Sequence, residues 1–287
     1  MAFPTDRKTR RAGWMAMVAG TLLAAGLLAT PGWAAENAAP PAAKPIAKPV
    51  AKPATKPAAK PVAKPAAKPT AKPAAKGRTD KDAVTPTENS PDRHAKFVAL
   101  AQKGNCGLLF LGDSITDHWP SWSKGTWAKL AKYKPLNFGI SGEHTEHVLW
   151  RVQNGELEVI RPKVVVLMIG TNNFGHTPDK PEWVAAGVKE IIKTIQEKQP
   201  QAKVLLLGIF PRNGKYAPIR QKIVAANAIL ATYDNGTSIR YLDIGGKFLD
   251  ANGEIPKEIM HDSLHPGDKG YQIWLEAMTP LLEEMMK

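Results

Sequence analysis

From about Ser90 onward the chain alternates between short apolar runs and amphipathic stretches. The apolar runs fall at 108–111, 136–140, 164–169, 204–209 and 239–244. Most are continuous rather than alternating, which is the pattern of strands covered on both faces. Between them lie amphipathic stretches at 126–133, 144–153, 181–198 and 218–233, and another at 270–286 closes the chain. Helical spacing shows in Val184, Val188, Ile191, Ile192 and Ile195. Strand and helix in alternation predict an α/β fold, a three-layer α/β/α sandwich around a central parallel five-stranded sheet. In such sheets the ligand site lies at the carboxyl ends of the strands.

The N-terminal part breaks this pattern. Arg7, Lys8, Arg10 and Arg11 precede residues 12–29, which carry no charge and are mostly apolar, and Gly32 and Ala34 supply small residues after them. This reads as a secretory signal cleaved near Ala34. An uncleaved membrane anchor is the competing reading, because the uncharged stretch is near the lower length limit of a span. Both readings export the remainder, to a periplasmic, secreted or envelope-tethered position. Residues 41–76 then repeat a Pro-x-x-Lys tetrapeptide, and proline at every fourth position excludes a helix. The expected state is an extended, disordered spacer with a reach on the order of 110 Å. The predicted organisation is a signal or anchor at 1–34, a Lys-Pro linker at 35–89 and one folded domain at 90–287.

Charge changes meaning once it is placed. The formal net charge is +13, but 13 of the 39 Lys and Arg residues and only two of the 26 Asp and Glu lie before residue 77. The rest is near neutral, so the basic balance is no argument for nucleic-acid binding by the folded part. The repeat is read as a solvated spacer, or alternatively as a cationic tether to anionic envelope polymers or lipid headgroups. A single cysteine, Cys106, excludes an intrachain disulfide; beside an apolar run it reads as a buried structural thiol.

The chemistry is concentrated just after the apolar runs. The first leads into Gly112-Asp113-Ser114, the second contains Gly139 and leads into Ser141-Gly142, and the third leads into Gly170-Thr171-Asn172-Asn173. All three would lie on one rim of the sheet. Ser114 at a helix start has a backbone N–H without an intrahelical partner. With the Gly139 N–H and the Asn172 amide it forms a three-donor candidate for an oxyanion hole. Near the C-terminus, Asp262-Ser263-Leu264-His265-Pro266 supplies a carboxylate and an imidazole three residues apart, and Pro266 disfavours a helical His265. A nucleophile, a base and an orienting acid in the order Ser114, Asp262, His265 are the groups that ester hydrolysis by a serine uses. A Gly-x-Ser-x-Gly elbow is absent, which argues against an ordinary α/β-hydrolase.

These motifs resemble the SGNH (GDSL) hydrolase superfamily, whose four blocks contribute Ser, Gly, Asn and His. Ser114 matches the first block, Gly139 the second, Asn172 the third, and Asp262 with His265 the last. Within the superfamily, residues 136–142, 147–151, 154–158, 199–203 and 207–212 resemble the platelet-activating-factor acetylhydrolase catalytic-subunit branch. Ser141 and Glu143 depart from that branch, which usually has Gly and Asp there. The resemblance implies a flavodoxin-like sandwich and a cofactor-free serine esterase acting on short acyl esters, acetyl above all, of a carbohydrate or a lipid. It implies Ser114 as nucleophile, His265 as general base, Asp262 as its orienter, and Ser114, Gly139 and Asn172 as oxyanion donors.

Other readings remain open on the sequence. A noncatalytic binding module could keep the fold and use the tether, and a polycationic adhesin could use the repeat alone. The pair His261/His265 lies beside a proline in an expected loop, the pair His144/His147 lacks a third ligand at a recognisable spacing, and His-Glu-x-x-His is absent, so no metal is expected. Arg151 either contacts substrate or pairs with a nearby acid.

Overall fold

The computed structural model describes residues 77–287. The expectations for the signal and the repeat fall on residues outside that range. The five apolar runs form β1 (Leu108–Gly112), β2 (Pro135–Gly139), β3 (Val164–Met168), β4 (Lys203–Leu207) and β5 (Ile239–Leu242). The helices are α1 (Pro91–Ala101), α2 (Ser114–Asp117), α3 (Trp119–Trp122), α4 (Lys124–Ala128), α5 (Thr145–Gln153), α6 (Thr171–His176), α7 (Pro181–Lys198), α8 (Pro218–Ala231) and α9 (Asp268–Met285). The sheet is parallel throughout, in the order β2-β1-β3-β4-β5.

Strand periodicity divides the core. Leu109, Leu111, Val165, Leu167, Val204 and Leu206 face α1, α5, α7 and α8, where they meet Phe97, Val148, Val188 and Ile223. Leu108, Phe110, Val164, Val166, Leu205 and Leu207 face the other way, onto Trp119, Tyr271, Trp274 and Met278. Successive side chains point to opposite faces of a strand, so a continuous apolar run fills both layers at once. Strand β5 is the exception. It is an edge strand, and all four of its residues are only partly buried.

Three differences from the sequence reading stand out. The stretch 126–133 is not one helix: α4 ends at Ala128, and a 3₁₀ turn at Ala131–Tyr133 leads through Lys134, at φ 52°, into β2. Helix α1 follows Ser90 where no helix was assigned, with Pro91 at its start and Phe97 and Ala101 on its buried face. The linker assignment for 77–89 is also corrected. Arg78 pairs with Glu146 and with Asp179, Ala83 is fully buried, and Thr145 Oγ1 donates to the Ala83 carbonyl at 3.0 Å. The polar composition of this segment concealed its partners, which lie 60 to 100 residues further along the chain.

The chain runs from β1 to β2 on one side and then crosses to β3 on the other. That reversal leaves a crevice at the carboxyl ends of β1 and β3. Gly112 is level with Gly139 on one side and with Met168 on the other, so the loops after all three strands emerge side by side.

Candidate active site

Ser114 is the first residue of α2, immediately after β1. Asp113 caps that helix by accepting the Ile115 N–H on Oδ1 at 3.0 Å, and the Ser114 N–H, at the helix start, has no hydrogen-bond partner among the described residues. Both side chains are buried. The Tyr271 hydroxyl donates to the Ile115 carbonyl at 2.9 Å and ties the turn to α9.

The segment 262–265 comes from the loop before α9 and reaches this serine across 151 residues of sequence. Ser114 Oγ lies 2.9 Å from His265 Nε2, and His265 Nδ1 lies 2.6 Å from Asp262 Oδ2. With Nδ1–H donated to the carboxylate, Nε2 presents its lone pair to the serine hydroxyl. The other oxygen, Asp262 Oδ1, accepts the backbone N–H groups of Leu264 at 3.0 Å and His265 at 2.8 Å. The tight loop requires Ser263 at φ 59°, held by its N–H on the Met260 carbonyl and by its own carbonyl on the Asn213 N–H. Partial burial works against ionisation of Asp262, but the ring and backbone donors outweigh it and bring the carboxyl down to about 2. It is therefore a permanent anion at neutral pH.

Asn172 stands in the first turn of α6, after β3, and is buried. Its Nδ2 donates to the Glu143 carbonyl at 3.0 Å, which orients the amide and leaves its second N–H free. Neighbouring Asn173 points elsewhere: it accepts the Thr145 N–H and donates to Asp179, joining α6 to α5.

The expectation for Gly139 needs correction. Its N–H donates to Asn137 Oδ1 at 2.9 Å, so it is already engaged within β2. The glycine is required for another reason: a Cβ there would come 2.8 Å from the Asp117 Cα and 2.9 Å from the Asp113 carbonyl, because the end of β2 lies against the turn that carries Ser114. Three residues on, Gly142 is exposed at φ 80°, and its N–H has no hydrogen-bond partner among the described residues. Sequence reasoning noted the Ser141-Gly142 pair only as part of the rim; the positive φ is what sets Gly142 apart.

Behind this rim, Arg151 is buried and does not contact the crevice. Its Nε donates to Glu143 Oε2 at 2.8 Å, its Nη1 to Glu156 at 2.6 and 2.7 Å, and its Nη2 to the Phe138 carbonyl at 3.0 Å. Arg151 thus braces the Gly142–Glu143 loop against β2. Burial pushes the Glu143 carboxyl up to about 7, with Arg151 opposing it only in part. His144, Glu146 and His147 also gather, with ligating atoms within 4.8 Å of one another. Those atoms are engaged in structure: His147 Nδ1 accepts the His144 N–H at 3.0 Å, and Glu146 pairs with His144 and Arg78.

A serine, a histidine and an aspartate stand in hydrogen-bond series beside free amide donors at the switch point of a parallel sheet, the arrangement that a serine nucleophile needs, here without a nucleophile elbow. The chain belongs to the GDSL-like lipase/acylhydrolase family, whose model matches residues 110–273. It is accordingly a carboxylic ester hydrolase. It is similar to the platelet-activating factor acetylhydrolase IB subunit alpha1 of Bos taurus, with 37% identity over 195 residues, covering 67% of this chain and 82% of that protein. The fold is shared with a GDSL-like lipase from Bacteroides thetaiotaomicron (TM-score 0.58, 20% identity, 68% of this chain and 98% of that one). It is shared also with an acetylxylan esterase from Geobacillus stearothermophilus (TM-score 0.50, 18% identity, 64% of this chain and 96% of that one).

Proposed function

We propose that the protein is an exported esterase that removes short acyl groups, acetyl above all, through an acyl-enzyme on Ser114. The observation that carries this reading is the continuous series Ser114 Oγ, His265 Nε2, His265 Nδ1, Asp262 Oδ2, with links of 2.9 and 2.6 Å. His265 Nε2 takes the hydroxyl proton as Ser114 Oγ attacks the ester carbonyl carbon, and the Asp262 anion stabilises the resulting imidazolium. The carbonyl oxygen becomes an oxyanion and is met by the Ser114 N–H, the free N–H of Asn172 and the Gly142 N–H. The carbon–oxygen bond to the alcohol breaks, and the leaving oxygen receives the proton from Nε2. Water then attacks the acyl-enzyme by the same route, releasing the carboxylic acid and restoring Ser114.

Support for acetyl comes from the similarity to an acetylhydrolase and from the shared fold of an acetylxylan esterase. Support for export comes from the basic, apolar and small-residue succession at 1–34, with the Pro-x-x-Lys repeat serving as a spacer. The test is hydrolysis of p-nitrophenyl acetate, butyrate and octanoate by the full chain and by Ser114→Ala. Expected is a rate highest for acetate and abolished by the substitution. A folded protein inactive on every ester would support a noncatalytic binding module instead.

A further inference from the structure

Five large apolar side chains are well exposed among the described residues, and one of them, Trp122, touches the catalytic histidine. Trp122 is 42% exposed, whereas Trp119, one helical turn earlier on α3, is fully buried. Trp119 stacks on Tyr271 at 5.3 Å and packs on Trp274 at 4.4 Å, while its indole N–H donates to Thr126 Oγ1 at 2.8 Å. The helix is therefore anchored through one indole and presents the other.

Trp122 is held in place as well. Its ring stacks on His118 at 4.2 Å and 25°, and meets the edges of His265 at 5.9 Å and His261 at 5.8 Å. His118 in turn contacts Ser141 Oγ through Nε2 at 3.2 Å, and that hydroxyl donates to Asp117 at 2.9 Å. A rigid, half-exposed indole carries little ordering cost when a ligand covers it.

The position decides which part of a substrate it meets. The general acid must sit beside the leaving oxygen when the alcohol departs, and that acid is His265 Nε2. The acyl oxygen lies toward Ser114 N–H and Asn172, whereas Trp122 flanks the histidine. The alcohol portion of the ester is thus the portion beside the indole. The surroundings decide what kind of alcohol fits. An alkyl chain needs a continuous apolar trough, but here the ring neighbours of the indole are His118, His261 and His265, and His118 leads on to the Ser141 hydroxyl. A flat apolar platform within a rim of hydrogen-bonding side chains suits a pyranose, whose electropositive C–H face packs on the indole π face while its hydroxyls meet the rim.

Resting on the esterase reading of Ser114, we propose that Trp122 is the platform of a leaving-group subsite for a sugar ring, and that the substrate is an O-acetylated pyranoside. Trp122 determines specificity and takes no part in proton transfer. The test uses the full chain and its Trp122→Ala and Trp122→Phe variants with mono-O-acetylated methyl β-glucopyranoside, ethyl acetate and a 1-alkyl-2-acetyl phospholipid. Expected for Trp122→Ala is a KM on the acetylated glucoside raised about tenfold, with kcat and the rate on ethyl acetate within about twofold of the parent, and with Trp122→Phe restoring most of the loss. Equal loss on glucoside and ethyl acetate, no loss on either, or loss confined to the phospholipid would each overturn the proposal. Calorimetric titration of Ser114→Ala with the acetylated glucoside separates the two readings. Binding that disappears in Ser114→Ala/Trp122→Ala supports the platform even if hydrolysis fails, and absence of binding together with absence of glucoside hydrolysis refutes it.

Discussion

The side-chain amide of Asn172 is oriented by the main-chain carbonyl of Glu143, at 3.0 Å, and not by a side chain of its own helix. Two loops that follow different strands are thereby locked, and the Arg151–Glu143 pair behind them supplies the rigidity. The preorganised amide is the part of such a site that acts on the transition state alone. Asn172→Ala should therefore lower kcat by about 10²–10³ with KM little changed. Steady-state kinetics on p-nitrophenyl acetate decide this; a change confined to KM would remove Asn172 from the oxyanion hole.

Asp262 fixes the tautomer of His265 through a 2.6 Å contact and is itself held low by ring and backbone donors. Asp262→Asn keeps the shape but offers an amide where an anion stood. The expected loss in kcat is on the order of 10³–10⁴, with the folded structure retained by circular dichroism. A loss below tenfold would mean that the carboxylate does not orient the base.

Asp113 gives a pH signature that belongs to stability. It is fully buried, Oδ2 has no hydrogen-bond partner, and burial pushes the carboxyl up to about 7, with the Ile115 N–H and the Arg212 charge opposing it. A carboxyl raised in the folded state binds protons that the unfolded chain has released. Its cost is therefore absent below the unfolded value and complete above about 7. The protein should gain stability as pH falls from 8 to 5.5. Asp113→Asn, which keeps the helix cap, should be more stable than the parent at pH 8 by about 2–4 kcal/mol and show a flatter dependence. Denaturant midpoints at the two pH values measure it, and identical slopes for both proteins would contradict it.

Arg78 ties the segment 77–89 to the rest of the described domain. It neutralises Glu146 and Asp179, which are almost completely buried. Arg78→Ala leaves two carboxylates without that partner, and about 3–5 kcal/mol is the usual cost of such an exposure of buried charge. A chain beginning at Ser90 should melt well below one beginning at Gly77, by roughly 6–15 °C. Equal melting temperatures would restore the linker assignment.

Gly139→Ala separates a packing role from a catalytic one. The added Cβ would press on the backbone of Asp117 and Asp113, so the variant should lose stability and, through the displaced Ser114 turn, activity together. Loss of kcat at unchanged melting temperature would return Gly139 to the oxyanion hole.

The sequence alone determined the layered parallel sheet, because most of the apolar runs are continuous, the pattern of strands covered on both faces, and the five runs became the five strands. It also brought out Ser114, Asn172, Asp262 and His265, since short polar and glycine motifs after strands are local signals. Tertiary structure decided what depends on distant partners. The N–H of Gly139 is engaged by a side chain two residues away whose direction no pattern reveals, and Gly142 stands out only by its backbone angle. Arg151, open to two readings in the sequence, is committed to buried acids by the packing of α5 on β2. Arg78 and Trp122 are the extreme cases. Arg78 lies in a stretch that reads as linker and Trp122 drew no reading from the sequence, because burial and exposure are properties of the assembled fold, and periodicity reports them only within a single helix or strand.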